Sequence, residues 1–580
     1  MAAVNRQPNR LGKTATLGAM VDWIGDPYQC GILSGVFDGA KAAGATFLCF
    51  VGESIPVEPE KTVRHRAFEL IGPHNVDGLV VLASTLSHHI GAAGLTDYCK
   101  RHFSGLPLCS VGTELEGIPS ITTNNGSGIS SVVKHLITQH GHRRIAFVRG
   151  PLANEEAETR FLAYVNTLKE HDIAFDERLV AVGTFMAPSG QAAVRSFAQI
   201  PGTSLKDLDA IVSSNDGMAA GVLRALEEHG IAVPGTVAVT GFDDVEEASL
   251  TTPPLTTVRQ SLSKMGRQAA RGVLEWIQTG NMPTDDEVNT ELVVRRSCGC
   301  SERELRARLS IVPEMNGSFE SALLMRREHI LDSLARAARG DLGIAGRDWQ
   351  VKLLNAFIAD LNSAESGALQ FLVEEMTEKL LVRGTSVRAC RDVVDCLRNQ
   401  LIVTLRGNPV RREHAEGIFY SAHLAIGEVV SRGMMRERSK LGRWVRNISI
   451  TCNMLSSVPT LNDLRRSIET QLPYLGLNNY YVVTYRDQNP SSAELFIAHD
   501  EAFDTSVAER SPFDARTLLP PALLPALDGR AFAVMPLALR DMRLGHMLLE
   551  LKLEFSFSYD SVADAIANGL HTSRLSESRG

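Results

Sequence analysis

From Thr16 to about Cys300, short apolar runs alternate with stretches of helical period. The runs Thr16–Val21, Thr46–Val51, Gly78–Leu82, Leu108–Val111, Arg144–Arg149, Leu179–Val182, Ala210–Ser213 and Val237–Gly241 predict strands. Between them Cys30–Ala43, Ser127–Gln139, Glu156–Glu170 and Met218–His229 carry helical spacing. Such alternation predicts an α/β fold with doubly wound parallel sheets. Eight main strands over some 285 residues exceed one ordinary sheet, so two lobes are expected, with the ligand site in the cleft between them, outside the carboxyl ends of the strands.

The texture changes after Cys300. Residues 301–455 are rich in Leu, Ala, Arg and Glu at helical spacing, broken near Gly340–Gly346, Gly384–Thr385 and Gly407–Pro409, and predict a helical connector whose last helix runs from about Val410 to Ser456. Residues 460–575 begin with the amphipathic Leu461–Leu472, continue with strand-like runs at Tyr480–Tyr485, Ala493–Ala498, Ala531–Pro536 and Gly545–Leu551, and close with a helix from Tyr559. Helix, antiparallel strands, helix resembles a GAF-like α+β domain, mainly through Phe532–Leu537 and Leu544–Leu549.

Composition adds bounds. The chain has 580 residues, 44% of them apolar, and a formal net charge of -8, which supplies no long-range attraction to a polyanion. Its nine cysteines are scattered, as in a reducing compartment. Met1–Lys13 lacks an apolar signal core, and no run approaches the ~20 apolar residues of a membrane span, so a cytoplasmic protein is expected.

The blocks Asn75–Val80, His140–Phe147, Ser214–Gly221, Ile231–Pro234, Gly241-Phe242-Asp243-Asp244 and Thr251–Gln260 resemble, in order and spacing, the effector-binding domain of the LacI/GalR family of bacterial regulators. Asp26–Gln29, Leu48–Gly52 and Arg295–Cys300 resemble the subset fused to signalling outputs such as diguanylate cyclases and histidine kinases. The resemblance implies a two-lobed, periplasmic-binding-protein-like sensor over 15–300, with chain crossings between lobes near Gly150, Gln260 and Glu287. It implies a small polar effector of the sugar or nucleoside class, contacted by Asn125, Arg160, Asn215, Asp243 and Gln260. Asp26 and Tyr28 on the first strand-to-helix loop, and Phe185, are further candidates. Planar donors and acceptors suit hydroxyl groups in a dry cleft, where each unmatched group costs ~1–3 kcal/mol.

Several features carry bland readings. Cys298-Gly299-Cys300 reads as a tight turn, because zinc sites use four ligands and longer spacers, and no His or Cys partner lies nearby in sequence; no metal is expected. Cys390 and Cys396 read as core thiols, and His414 and His423 as ordinary helix residues. No haem, bilin or other cofactor is indicated, and no catalytic motif appears. The basic stretch Arg432–Arg446 reads as a solvated helix face.

The expected function is therefore a non-enzymatic sensor that passes lobe closure to its C-terminal helices, acting as a homodimer or on a protein partner through those helices or the GAF-like domain. Apolar helix faces around Leu401–Leu405 and Ile448–Leu455 suit self-association. No helix-turn-helix pattern precedes the sensor, so direct DNA binding is expected to be unlikely. The alternatives are the sensory part of a cyclase or kinase, and a direct DNA binder using the basic helix.

Overall fold

The computed structural model describes residues 14–56, 63–300, 319–338, 348–363, 367–382, 387–405, 407–487, 490–507, 511–552 and 558–577. The breaks expected near Gly340–Gly346 and Gly384–Thr385 lie outside the described residues. Residues up to 302 and from 447 onward form one compact unit, and residues 303–446 form another.

In the first unit the chain runs β1 (Thr16–Val21), α1 (Pro27–Ala42), β2 (Thr46–Val51), β3 (Gly78–Leu82), α2 (Ala83–Leu86), α3 (Gly91–His102), β4 (Leu108–Gly112) and β5 (Ser120–Thr123). It continues through α4 (Asn125–His140), β6 (Ile145–Arg149), α5 (Glu155–Glu170), β7 (Val180–Val182), α6 (Ala187–Ala198), β8 (Ala210–Ser213), α7 (Asp216–Glu228) and β9 (Ala238–Thr240). Then come α8 (Glu246–Leu250), β10 (Thr257–Arg259), α9 (Leu262–Thr279), β11 (Asp286–Val288) and β12 (Glu291–Val293).

Two parallel sheets make the two lobes. The first orders its strands β11-β5-β4-β3-β1-β2, the second β7-β6-β8-β9, and β10 pairs antiparallel with β12 beside them. Side chains of the first sheet alternate faces as strand geometry requires. Leu17, Ala19 and Val21 pack with Ile32, Val36, Met265 and Val273 of α1 and α9, while Met20 and Val81 pack with Leu95 and Cys99 of α3. α1 and α9 approach very closely: a Cβ at Gly35 would stand 2.0 Å from the Ser263 carbonyl oxygen, and one at Gly266 2.0 Å from that of Ile32. The second sheet carries α4 and α5 on one face and α6 and α7 on the other.

Among the described residues the sensor's chain crosses between its lobes three times. The return at Gln260 and the last passage, between β11 and β12, fall where the family topology put them. The first does not. It occurs at Asn124, not near Gly150, because Ile129, Val132, Val133 and Leu136 of α4 pack with Ile145 and Phe147 of the second sheet.

The C-terminal block comprises α15 (Leu461–Tyr474), β13 (Tyr480–Tyr485), β14 (Ser492–His499), β15 (Phe513–Asp514), β16 (Ala531–Leu539), β17 (Met542–Glu550) and α16 (Tyr559–Glu577). It does not stand apart from the sensor as the boundaries 460–575 imply. Its antiparallel sheet, β16-β17-β13-β14-β15, joins the first lobe's sheet through parallel pairing of Ala531–Val534 with Phe47–Phe50, giving eleven continuous strands. Both edges are apolar on both faces and would otherwise be exposed unpaired strands. Phe47 and Ala533 share one core with α15 and α16, and Phe50 and Phe532 share the other.

The second unit contains α10 (Phe319–Ala337), α11 (Trp349–Leu361), α12 (Ala368–Val382), α13 (Arg388–Ile402) and α14, the long helix Pro409–Ser456 that continues past residue 446. Leu334, Leu353, Phe357, Leu369, Val393, Leu397 and Phe419 form its core, with the Phe357 and Phe419 rings stacked at 4.7 Å. The buried Asp360 carboxylate accepts from the Ala368 and Leu369 amides at 3.0 Å each, capping α12. Leu401 and Leu405, expected on a self-association face, are buried in this core, and Leu455 is buried in the core of the first unit. Along α14, Met434, Met435, Leu441 and Val445 are exposed, as are Val410, Tyr420, Leu424, Ile450 and Met454.

Candidate functional site

Loops at the carboxyl ends of the strands converge at the seam between the lobes. Arg160, on α5 and only 3% exposed, is its centre. Its Nε donates to Asn125 Oδ1 at 2.7 Å and its Nη1 to the Ser214 carbonyl at 2.7 Å, while the guanidinium lies 3.9 Å from the Phe242 ring centroid. Asp243 Oδ1 is 3.8 Å from Arg160 Nη1, and Glu156 Oε1 is 3.8 Å from Nη2. Asn125 Nδ2 donates to Glu156 Oε1 at 3.2 Å, and Gln260 Nε2 to Asp243 Oδ1 at 2.7 Å.

The Asp243-Asp244 pair lies in the left-handed region, with φ of 113° and 58°, which costs ~1–3 kcal/mol per residue for side chains of this kind. Its neighbours hold it there. Asp244 is gripped by Arg259 Nε at 2.7 Å and by Arg295. Behind it, buried Asp216 accepts from Thr257 Oγ1 at 2.6 Å and the Val245 amide at 3.1 Å, its carboxyl filling the space a Cβ at Gly241 would need. Burial pushes the Asp243 carboxyl up to about 7 against the pull of Arg160 and Gln260. Burial, then the charge of Asp243, raises Asp216 well above the carboxylate range.

From the first lobe, Tyr28 hydroxyl and Ser84 Oγ are 3.1 Å apart, and burial lifts the Tyr28 hydroxyl well above its ordinary value. Asn154 Nδ2 reaches across from the second lobe to the Ser84 carbonyl at 3.0 Å, and the rings of His88 and Phe185 face each other at 5.9 Å. Burial lowers the His88 imidazole to about 4, so it is neutral at physiological pH. Among the described residues two buried acceptor atoms here, Asp22 Oδ1 and Gln260 Oε1, have no hydrogen-bond partner of standard geometry, although Gln29 and Thr85 lie close enough to the Asp22 carboxyl to stabilise its charge.

Of the residues expected to meet a ligand, Asn125, Arg160, Asp243, Gln260 and Tyr28 come together in this cluster. Asp26 caps α1, accepting from the Gln29 amide at 3.0 Å. Asn215 caps α7, accepting from the Met218 amide at 2.9 Å while donating to the Phe185 carbonyl at 2.9 Å. Both are occupied as turn and cap residues, and Phe185 stands at the rim with φ +65°. The sequence reading missed Asp22, Ser84, His88, Asn154 and Glu156. Asp22 and Ser84 follow β1 and β3 at their carboxyl ends, so the rule that pointed to Asp26 also reaches them. A separate cavity of about 540 Å³, lined by Glu53, Arg64, Arg540, Asp541 and Asp564 among others, lies away from this cluster.

Cys298-Gly299-Cys300 was expected to be a turn with no His or Cys partner nearby in sequence, but the fold brings such partners to it from α4. His135 and His140, at the C-terminal end of α4, stand beside it, and the ligand atoms of all four side chains lie within 4.8 Å of one another. Among the described residues no helix is long and apolar enough to cross a membrane.

A family model for a periplasmic-binding-protein-like domain matches residues 133–298. The HTH-type transcriptional regulator CelR of Thermobifida fusca is 32% identical over 278 residues, covering 47% of this chain and 76% of that protein. The chain belongs to the LacI/GalR family. A second member, the HTH-type transcriptional regulator GalR of Escherichia coli K12, is 30% identical over 285 residues, covering 49% of this chain and 78% of GalR. A solved complex of the regulator CelR with cellobiose matches 50% of this chain and 86% of its own at 28% identity and a TM-score of 0.43. The relatives are helix-turn-helix regulators by name, against the expectation that direct DNA binding is unlikely.

Proposed function

We propose that the chain is a transcription regulator whose sensor, residues 15–300, holds a neutral, hydroxyl-rich molecule of the sugar class between its lobes. The single observation that carries this reading is the character of the seam. Glu156 and Asp243 each stand 3.8 Å from the one buried guanidinium, Arg160, the charge of Asp26 reaches Asp243, and among the described residues the acceptors Asp22 Oδ1 and Gln260 Oε1 lack donors. Acceptors in excess call for hydroxyl donors, and the carboxylates repel an anionic ligand such as a sugar phosphate.

On this reading the ligand favours the closed arrangement, in which Asn154 already reaches Ser84. Only a ligand with different affinity for open and closed lobes shifts their balance, typically by ~1–3 kcal/mol of coupling. The sheet that continues from β2 into β16 gives the movement a path into the C-terminal block, which we read as GAF-like from its helix–strands–helix order. Residues 301–455 would act as the helical connector of a cytoplasmic homodimer, with Met434, Leu441 and Val445 of α14 available for contact.

A thermal-shift screen of the intact protein against neutral mono- and disaccharides, nucleosides, purines and sugar phosphates tests this. At 100 times its dissociation constant a ligand stabilises by ~2.7 kcal/mol. A neutral sugar should raise the melting temperature, and Asp243→Ala should abolish the shift. Hits confined to phosphorylated compounds, or a sugar effect unchanged in the variant, would sink the proposal.

A further inference from the structure

We propose that His135, His140, Cys298 and Cys300 form a structural zinc site that clasps the end of the sensor domain. The four ligands come from two segments far apart in sequence. His135 and His140 occupy the last turns of α4, and Cys298 and Cys300 flank Gly299 a few residues after β12.

The geometry fits the ion. Cys300 Sγ is 3.6 Å from His135 Nε2 and 3.4 Å from His140 Nε2. A tetrahedral zinc with Zn–S of about 2.3 Å and Zn–N of about 2.0–2.1 Å has sulfur-to-nitrogen edges of about 3.6 Å. The rings of His135 and His140 meet edge to face, with centroids 5.2 Å apart, so their Nε2 atoms converge without stacking. The H-x4-H spacing lies within the range structural sites use. The C-x-C spacing is shorter than usual, and the chain achieves it by turning at Gly299, whose φ of +104° favours glycine. A Cβ there would stand 3.4 Å from the His140 ring.

Charge and burial agree. Two thiolates balance a divalent ion, so a neutral complex sits in a region where Cys298 is 1% exposed. Four protein ligands leave no open position, which makes the site structural, not catalytic. Its effect is mechanical. It ties the C-terminal end of α4 to the point where the chain leaves the sensor, immediately ahead of residue 301.

The test uses the full chain, produced in zinc-supplemented medium and freed of loose metal by gel filtration. Elemental analysis should find about one zinc per chain, lost in the C298S/C300S double variant. Because loss of metal in that variant could also follow from misfolding, the wild-type protein supplies a second measurement. Peptide-level mass spectrometry should show Cys298 and Cys300 protected from alkylation until a chelator is added, and Co2+ replacement should give the ligand-field and thiolate charge-transfer bands of a tetrahedral sulfur-nitrogen site. Zinc-supplemented protein that carries no metal, with both thiols alkylating at once, overturns the proposal. So does a Cys298–Cys300 disulfide in the protein as isolated, a different metal in the site, or a zinc content unchanged in the double variant.

Discussion

Replacing Arg160 by methionine keeps most of the aliphatic stem against Phe242 and removes only the guanidinium. Two hydrogen bonds from a charged donor vanish, to Asn125 Oδ1 and to the Ser214 carbonyl, each 2.7 Å long. The carboxylates of Glu156 and Asp243, each 3.8 Å from the guanidinium, lose their counter-charge inside the seam. Removing one partner from a buried ionic group costs ~3–5 kcal/mol, most of it the penalty of the charge left behind. We therefore expect Arg160→Met to destabilise the second lobe by ~3–5 kcal/mol at pH 8. The loss should be smaller at pH 5.5, where Asp243 takes up a proton. Adding Asp243→Asn should return ~1–3 kcal/mol, because the two sites are in contact and their effects cannot add. Several transitions are expected in a chain of this size, so one global unfolding energy is not defined. Hydrogen exchange of peptides from β6 to β9, followed as urea is raised, reads the local free energy instead. A loss under ~1 kcal/mol, or a double variant as unstable as the sum of the singles, would refute the reasoning that Arg160 compensates those carboxylates.

Three further outcomes follow from the same structure. Burial raises the folded Asp243 to about 7 from an unfolded value of 3.8, so its contribution is fully present below about pH 4 and lost as pH rises through 7; Asp243→Asn should remove that slope from the pH dependence of second-lobe exchange. His546 runs the opposite way. Buried between Tyr485 Oη and the Leu518 carbonyl, each at 2.8 Å, it is lowered to about 4 from 6.5, so its contribution is present above pH 6.5 and lost as pH falls toward 4; His546→Gln should flatten acid destabilisation of β13–β17 in the same exchange experiment. Gly266→Ala puts a methyl group 2.0 Å from the Ile32 carbonyl and forces α1 from α9, for which we expect a loss of ~1–3 kcal/mol or more and a clear fall in melting temperature; wild-type stability would show that the two helices are not held at this distance.

Local pattern was enough for most strands of the sensor, because runs such as Thr46–Val51 and Gly78–Leu82 are buried on both faces and read as apolar from end to end. It missed β5, β10, β11 and β12, which have three or four residues each and draw on Thr, Ser, Asp and Glu; what makes them strands is the partner across the ladder, not their own composition. The pairing of β2 with β16 was equally illegible. Both strands read as buried, but nothing in either names a partner nearly 500 residues away, and the resemblance of the last block to a separate domain argued for a boundary there.

The site divides along the same line. Arg160, Asn125, Asp243 and Gln260 were reachable because family motifs mark them, and Asp26 because it lies on the first strand-to-helix loop, where it proved to be a helix cap. Glu156 carries no motif. It reads as one more acid in the first turn of α5, a place where acids are common for helix-dipole reasons alone, and only the fold turns it toward Arg160 and Asn125. His135 and His140 failed to register for the converse reason. A pair of histidines near a helix end is ordinary, and a Cys-Gly-Cys turn is ordinary. Their chemistry appears only when β12 brings the chain back past α4, so that segments some 160 residues apart place sulfur 3.4 Å from nitrogen. A search for metal ligands by spacing within one segment cannot find such a site, whereas a search over every helix end facing a domain's last turn would have found it.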